Sequence, residues 1–408
     1  MCEDEYEPAD DTQDDTPGKA ASRSPGARGS AHPDAPAPSR RGVLHAIAGS
    51  AALTSVPLLG GCSNGTRPSD SAHPRAAAAS TPASTAAGLS VVLLGTNGGP
   101  APLAERYGIS SALVVDGKTY VVDCGRGAVS QYLRAGLSMP SLAGIFLTHL
   151  HSDHVVDYFS FPLLSAGIPG SQGFHRAIPV YGPGPAGVES TVTDAPGRLP
   201  GTVGMTRLAS QAYAASPTFF MAEKSGVDPA GLLDAHDVLP PRATGASATR
   251  TAPAMKPFTV MEDDTLRVTA VLVPHGAVYP AYAYRFDTDH GSVVFSGDTG
   301  PTPNVVALAK GAGLLVHETF YPAALPGLGL PEDLLKHIKA VHTDVAELGA
   351  IAASAGVGAL ATTHLSPGQR DAVSDAAWKR LLRDSARTAH YGGRMIAGTD
   401  LLRVPVTA

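Results

Sequence analysis

The sequence predicts an α/β fold in which sheets pack face to face with helices outside, and three observations carry that expectation. From Leu89 onward, short apolar runs bounded by Gly and Asp give the pattern of strands. Those runs lead the first half and then alternate with helix-like stretches, the order of a layered α/β domain. Hydrophobic residues make up 43% and charged residues 16% of the 408, enough for a sizeable core and unlike a disordered chain.

The residues before Leu89 have a different texture. Residues 1–38 are acidic and then rich in Ser, Pro, Gly and Ala without apolar periodicity, the composition of a disordered leader. Ser39-Arg40-Arg41-Gly42-Val43-Leu44 opens a short, weakly apolar run that ends Leu58-Leu59-Gly60-Gly61-Cys62. The paired arginines resemble a twin-arginine export signal, and the ending resembles a bacterial lipoprotein cleavage site whose new N-terminal cysteine is lipidated. A membrane-spanning helix is the competing reading, and at roughly 18 residues the run is marginal for a span. The resemblance implies export to the periplasm or cell envelope, with the membrane reached through a lipid on Cys62. Residues 63–88, rich in Ser, Ala, Thr and Pro, read as a flexible tether.

Charge and cysteine use narrow the partners. The formal charge is −6, of which residues 1–61 carry −4, leaving −2 for residues 62–408. A body so near neutral argues against a nucleic-acid partner, because such affinity rests on clustered Lys and Arg. Cys2, Cys62 and Cys124 are too few and too scattered for a disulfide framework.

Along residues 89–408, Ser90–Leu94, Ser111–Val115, Thr119–Asp123 and Leu142–Thr148 read as strands, with a helix over Ala128–Ala135. Strands also fit Ile178–Tyr181, Phe258–Met261, Leu266–Val273, Tyr282–Phe286 and Ser292–Ser296. Helices fit Val305–Lys310, Asp344–Ser354 and Asp371–Ser385. Residues 184–256, rich in Gly, Pro and Ala with Tyr213, Phe219, Phe220 and Met221, read as an insertion between strands. It would be either an outer helical layer or a lid over a substrate pocket.

One segment carries the chemistry. Thr148-His149-Leu150-His151-Ser152-Asp153-His154 follows directly on the apolar run Ile145–Leu147. His149 and His151 are two apart, so on extended chain their imidazoles leave from the same side. Asp153 and His154 follow where the chain turns into a helix. Three imidazoles and a carboxylate converging at a strand end suit zinc, and also iron or manganese. Buried without a metal, they would leave several polar groups to satisfy at once.

The segment resembles the H-x-H-x-D-H signature of the metallo-β-lactamase superfamily. Upstream, Leu94-Gly95-Thr96-Asn97-Gly98-Gly99-Pro100 and Val121-Val122-Asp123-Cys124-Gly125 are similar to the opening strands of its ribonuclease Z and arylsulfatase branch. Downstream, Pro274-His275, Ser296-Gly297-Asp298-Thr299, His317-Glu318-Thr319-Phe320, His342-Thr343-Asp344 and Thr363-His364-Leu365-Ser366-Pro367 follow that branch's motifs in order. The resemblance implies a four-layer αββα sandwich with two divalent metals, most simply Zn2+, at one edge of the sheets. His149, His151 and His275 would hold one metal, Asp153, His154 and His364 the other, and Asp298 would bridge them. Asp153 is expected to serve in catalysis as well as ligation. A histidine oriented by a glutamate protonates the leaving oxygen in this branch, and here His342 and Glu318 take those places. Paired metals would also bring the pKa of a shared water to near 7.

The departures concern substrate. The family's Arg-Tyr after the last histidine is absent, and residues 184–256 contain no obvious basic, glycine-rich arm for gripping tRNA. The expected function is therefore extracytoplasmic hydrolysis of a small phosphodiester or sulfate ester by metal-activated hydroxide, with room for a homodimer. The alternatives are a ribonuclease Z-like tRNA 3′-end endonuclease, or hydrolysis of a lactone, thioester or β-lactam.

Overall fold

The computed structural model describes residues 88–166, 173–174 and 176–407. The leader, both signal resemblances, the tether up to residue 87 and His175 lie outside the described residues.

The described chain forms two sheets of seven strands each. The first takes β1 (Leu89–Gly95), β2 (Ser110–Val115), β3 (Lys118–Val122), β4 (Leu142–Phe146), β5 (Ile178–Pro183) and β6 (Leu233–Val238). The second takes β7 (Phe258–Glu262), β8 (Arg267–Leu272), β9 (Tyr282–Thr288), β10 (Gly291–Phe295), β11 (Leu314–Phe320), β12 (Ala359–Ser366) and β13 (Arg394–Ile396). β14 (Leu402–Val406) returns to pair antiparallel with β1. Along the chain the helices are α1 (Ala128–Arg134), α2 (Ser152–Val155), α3 (Ser160–Ala166), α4 (Thr202–Ala212), α5 (Ala215–Ala222), α6 (Pro303–Leu308), α7 (Glu332–Val341), α8 (Leu348–Ala355) and α9 (Asp375–Thr388).

The two-residue period of a strand divides the core into three bodies. Val91 and Leu93 of β1 face the second sheet and join Tyr120, Phe146, Tyr284, Phe286 and Val316 between the sheets. Val92 and Leu94 face outward and pack with Val129, Tyr132 and Phe161 beneath α1 and α3. Val294, Leu315 and Leu360 do the same for the second sheet, under Val305, Leu348, Trp378 and Leu382 from α6, α8 and α9. Both faces of each sheet are thus buried, which is why so many strands read as continuous apolar runs. The result is the αββα sandwich.

The structure refines two expectations. Residues 184–256 hold more than a loop: α4 and α5 lead into β6, which pairs parallel with β5 at the sheet edge. The stretch is a crossover that also carries a hairpin over residues 187–200. β11 was not expected as a strand, because His317-Glu318-Thr319 interrupts its apolar run, yet all seven of its residues are buried.

The parallel strands fix where chemistry collects. β3, β4 and β5 run parallel, as do β10, β11 and β12. Their carboxyl ends open on one edge of the sandwich, where loops on a rigid scaffold aim side chains.

Candidate metal centre

The H-x-H-x-D-H segment leaves β4 and is pinned to the second sheet before it turns. The Tyr282 N–H donates to the Thr148 carbonyl at 2.9 Å, and the Tyr284 hydroxyl donates to the Leu147 carbonyl at 3.0 Å. α2 begins at Ser152, which places Asp153 and His154 on its single turn. Asp298 arrives from the end of β10 through Gly297, whose φ is +58°. A Cβ at Gly297 would lie 2.6 Å from the Tyr282 carbonyl oxygen, so only glycine fits this turn. His364 is delivered by a bulge. The β11–β12 register jumps from Glu318↔Thr363 to Thr319↔Leu365, leaving His364 as the extra residue, with φ +43°.

These routes bring together every ligand expected from the sequence. The donor atoms of His149, His151 and His275 lie within 4.8 Å of one another, as do those of Asp153, His154 and His364. Asp298 stands between the groups. Its Oδ2 lies 3.1 Å from His364 Nε2, 3.7 Å from His275 Nε2 and 3.9 Å from His149 Nε2, and its Oδ1 lies 3.4 Å from His154 Nε2. His149, His154, His275, Asp298 and His364 are all buried, and His151 is the exposed member.

The electrostatics suit a cation. Burial pushes the His149, His151 and His275 imidazoles below their usual range, His275 to about 4, so their lone pairs are free at neutral pH. Burial opposes charge on Asp153, but hydrogen bonding to His364 and the charges of His154 and His364 hold its carboxyl at about 2. His149 Nε2, His154 Nε2 and Asp298 Oδ1 are buried without a hydrogen-bond partner. Stranding three polar atoms in one place is costly, and a divalent cation supplies the missing contact for all three. The imidazole and carboxylate donors thus fit the metal that the fold implies.

Asp123, which sequence reasoning passed over as part of a strand-end motif, stands directly behind the ligand set. Its carboxylate accepts from the Thr148 N–H at 2.8 Å, the Thr148 hydroxyl at 2.9 Å and His154 Nδ1 at 2.8 Å. A carboxylate can only accept, so Nδ1 of His154 carries a proton and Nε2 is the ring atom turned toward Asp298. Burial opposes charge on this ring, but Asp298 and Asp123 outweigh it and raise the imidazole well above its usual range, so a metal would have to displace the Nε2 proton. His275 is oriented in the same way, with Nδ1 donating to the Val341 carbonyl at 3.2 Å. The available signal was an aspartate ending the buried strand that precedes the one leading into the His-rich segment.

His342 and Glu318 form a second unit against the first. His342 caps the end of α7, and its Nδ1 lies 3.2 Å from Glu318 Oε1. That same oxygen accepts from the Thr299 N–H at 3.1 Å and the Thr343 N–H at 3.0 Å, which fixes the buried carboxylate. Burial disfavours charge on His342, but Glu318 and then Asp298 outweigh it and hold the imidazole at about 9. The ring stacks on His364 with centroids 5.4 Å apart, beside the ligand cluster. An imidazole held at about 9 has a proton to give at neutral pH.

The remaining candidates are structural. His317 Nδ1 donates to the Glu318 carbonyl at 2.6 Å and is buried. His290 pairs with Asp116 at 2.8 Å on the surface, and His236 pairs with Asp234 at 3.0 Å. Cys124 is fully buried, and burial pushes its thiol well above the usual range, which removes it as a nucleophile.

A family model described as the metallo-beta-lactamase superfamily matches residues 105–161. The ribonuclease Z of Mycobacterium marinum is 28% identical over 324 residues, covering 78% of this chain and 99% of that protein. The ribonuclease Z of Mycobacterium sp. (strain KMS) is 31% identical over 323 residues, covering 78% of this chain and 96% of that protein. Among solved structures, the short form of human tRNase Z aligns with a TM-score of 0.50 at 19% identity, covering 78% of this chain and 100% of that one.

Proposed function

The chain belongs to the metallo-β-lactamase superfamily, in its ribonuclease Z branch, and from that premise we propose that it cuts RNA near a 3′ end with ribonuclease Z chemistry. At the coarser level it is a metal-dependent hydrolase. The observation that carries the phosphodiester reading is the His342–Glu318 pair set against the ligand cluster. A strand of RNA leaves as a poor alkoxide and needs a proton, and passive metal binding would have no use for such a donor.

In this reading the cluster would hold two divalent ions, zinc by its donor chemistry. His149, His151 and His275 would hold one and Asp153, His154 and His364 the other, with Asp298 placed between the two groups. Such ions would supply hydroxide at neutral pH and offset charge on the phosphoryl oxygens. The protein's own residues do the rest. Asp123 and the Val341 carbonyl fix the tautomers of His154 and His275. Glu318 aims His342, whose proton goes to the leaving oxygen.

Relatives named ribonuclease Z, matched over nearly their whole length, move the RNA reading ahead of the small phosphodiester or sulfate ester expected above. The smaller ester stays as a second reading because residues 184–256 carry six basic and six acidic side chains and so no net charge. Metal-replete protein should be offered an RNA with a 3′ trailer beyond an acceptor stem, alongside bis-p-nitrophenyl phosphate and p-nitrophenyl sulfate. A single cut at the trailer junction supports the first reading, and turnover of the small diester with intact RNA supports the second. If metal-loaded protein hydrolyses none of the three substrates, both readings are wrong.

Export through residues 39–62 is a separate proposal, resting on the paired Arg40 and Arg41 and on Cys62. Replacing both arginines by lysine should retain the protein in the cytoplasm, and Cys62→Ser should free it from membranes. Unchanged fractionation of both variants rejects the proposal.

A further inference from the structure

The crossover builds a cavity of about 440 Å3 directly beside the ligand cluster. His151 stands in its wall, so the cavity and the candidate metal centre share a side chain. The rest of the lining is apolar, with Leu150, Met205, Val278 and Pro280 on the inner walls. The outer wall is the hairpin over residues 187–200. The Leu199 N–H donates to the Val188 carbonyl at 3.0 Å and the Ser190 N–H to the Gly197 carbonyl at 2.8 Å. This hairpin holds Val188 and Leu199 over the cavity although they remain 39% and 38% exposed.

That arrangement is unusual for an edge whose substrate is an anion. A cavity that served only the phosphoryl group or a ribose would offer donors. Here Lys and Arg are absent from the lining, and Tyr279 brings the one hydroxyl. The volume lies within the range of about 300–1,000 Å3 that small-molecule pockets occupy. Two half-exposed aliphatic side chains held over an apolar floor gain by being covered.

We propose that this cavity is a substrate subsite that takes an apolar, ring-sized group on the ester whose phosphoryl end meets the metal cluster. The proposal rests on the second of the two readings above, a small phosphodiester, and names the substrate class as phosphoesters bearing an aryl or bulky alkyl group. His151 fixes the geometry. A group in the cavity is one side chain away from the cluster, so its ester linkage falls at the donor atoms of His149, His151 and His275. Polar contacts in the cavity are too few to satisfy the edges of a nucleobase, which sets an aryl group apart from a nucleoside as occupant.

Binding tests this without relying on turnover. Dissociation constants of 1-naphthyl phosphate, methyl phosphate and uridine 5′-monophosphate are to be measured on the metal-loaded chain. 1-Naphthyl phosphate should bind roughly 10- to 100-fold more tightly than methyl phosphate, the effect of burying one large apolar side chain. Val188→Asp and Leu199→Asp, both at half-exposed positions that the fold tolerates, should narrow that ratio to near one. Ala186→Trp, which fills the cavity from another wall, should do the same. Equal binding of 1-naphthyl and methyl phosphate overturns the proposal, as does a preference that survives all three substitutions. Uridine monophosphate matching the naphthyl ester also overturns it and assigns the cavity to a base. Parallel turnover of naphthyl p-nitrophenyl phosphate separates the two layers. A binding preference without turnover keeps the subsite and rejects the hydrolase reading, whereas turnover without preference does the reverse.

Discussion

The strand-end cluster and the 184–256 crossover face the same edge of the sandwich and are built on opposite plans. The cluster draws its residues from five elements, buries most of them, and fixes several through hydrogen bonds from residues outside the ligand set. The crossover is contiguous in sequence and neutral, and it leaves Tyr213, Phe219, Phe220 and Met221 exposed. The first region needs exact placement because ligation and proton transfer fall off within fractions of an ångström. The second needs only a shape. On the proposals above, reaction type would reside in residues that the whole fold positions, and substrate choice in a segment that can change without moving them.

Four measurements test that contrast. The largest effect belongs to Asp298→Ala, which removes the carboxylate between the two donor groups. It should reduce bound metal from about two ions per chain and bring hydrolysis to background, as read by elemental analysis with an activity assay. Full retention of both ions would reject the bridging role. Next comes His342→Ala, which should keep its metal yet slow substrates with poor leaving groups by roughly 10²- to 10⁴-fold. Loss on p-nitrophenyl esters should be much smaller, since that leaving group needs little protonation, and Glu318→Gln should follow the same pattern more weakly. Equal slowing of both substrate types would move His342 from proton donor to binding residue.

Asp123→Asn tests whether the residues behind the ligands matter as argued. Metal affinity should fall roughly 10- to 100-fold, because an amide can present its N–H to His154 and favour the wrong tautomer. Competition with a chelator reads this, and unchanged affinity would leave Asp123 a purely structural residue. The smallest effect is on pH dependence in metal-free protein. His342 is held at about 9 when folded, above an unfolded value near 6.5. Its contribution to stability is therefore complete below pH ~6.5 and lost as pH rises through ~9. Glu318→Gln should remove it, so the stability gap between wild type and variant should narrow across that window. A gap that is constant with pH would show that the pair is not charged as described.

The sequence exposed the cluster far better than the crossover, for physical reasons. His149, His151, Asp153 and His154 share one short segment, because a strand end and the helix turn after it suffice to converge four donors. His275, Asp298 and His364 are scattered loop and bulge residues, and only their resemblance to ordered family motifs singled them out. Asp123 stayed hidden because, as the last residue of the strand Thr119–Asp123, it gave no sign in the sequence of the distant imidazole it meets. β6 was missed because an edge strand buries little: in Leu233-Asp234-Ala235-His236-Asp237-Val238 only the two ends are buried. α5 was unreadable for a related reason, since its aromatic residues point outward and give no amphipathic period. Where the core did not dictate side chains, pattern carried no information.

One oxygen of Glu318 stitches two separate loops together. Oε1 receives the main-chain N–H groups of Thr299 and Thr343, while the Thr343 hydroxyl donates to the Thr299 carbonyl at 2.7 Å. Thr299 follows Asp298 and Thr343 follows His342, so this suture sets the spacing between the Asp298 carboxylate and the His342 imidazole. The two stitches to Glu318 pass through peptide amides and so do not depend on which side chains occupy 299 and 343. A lineage can therefore reword the text around His342, as His342-Thr343-Asp344 does relative to its family's H-S-T, without altering the span between His342 and Asp298. Glu318 is the thread itself, because the oxygen that receives both amides belongs to its side chain.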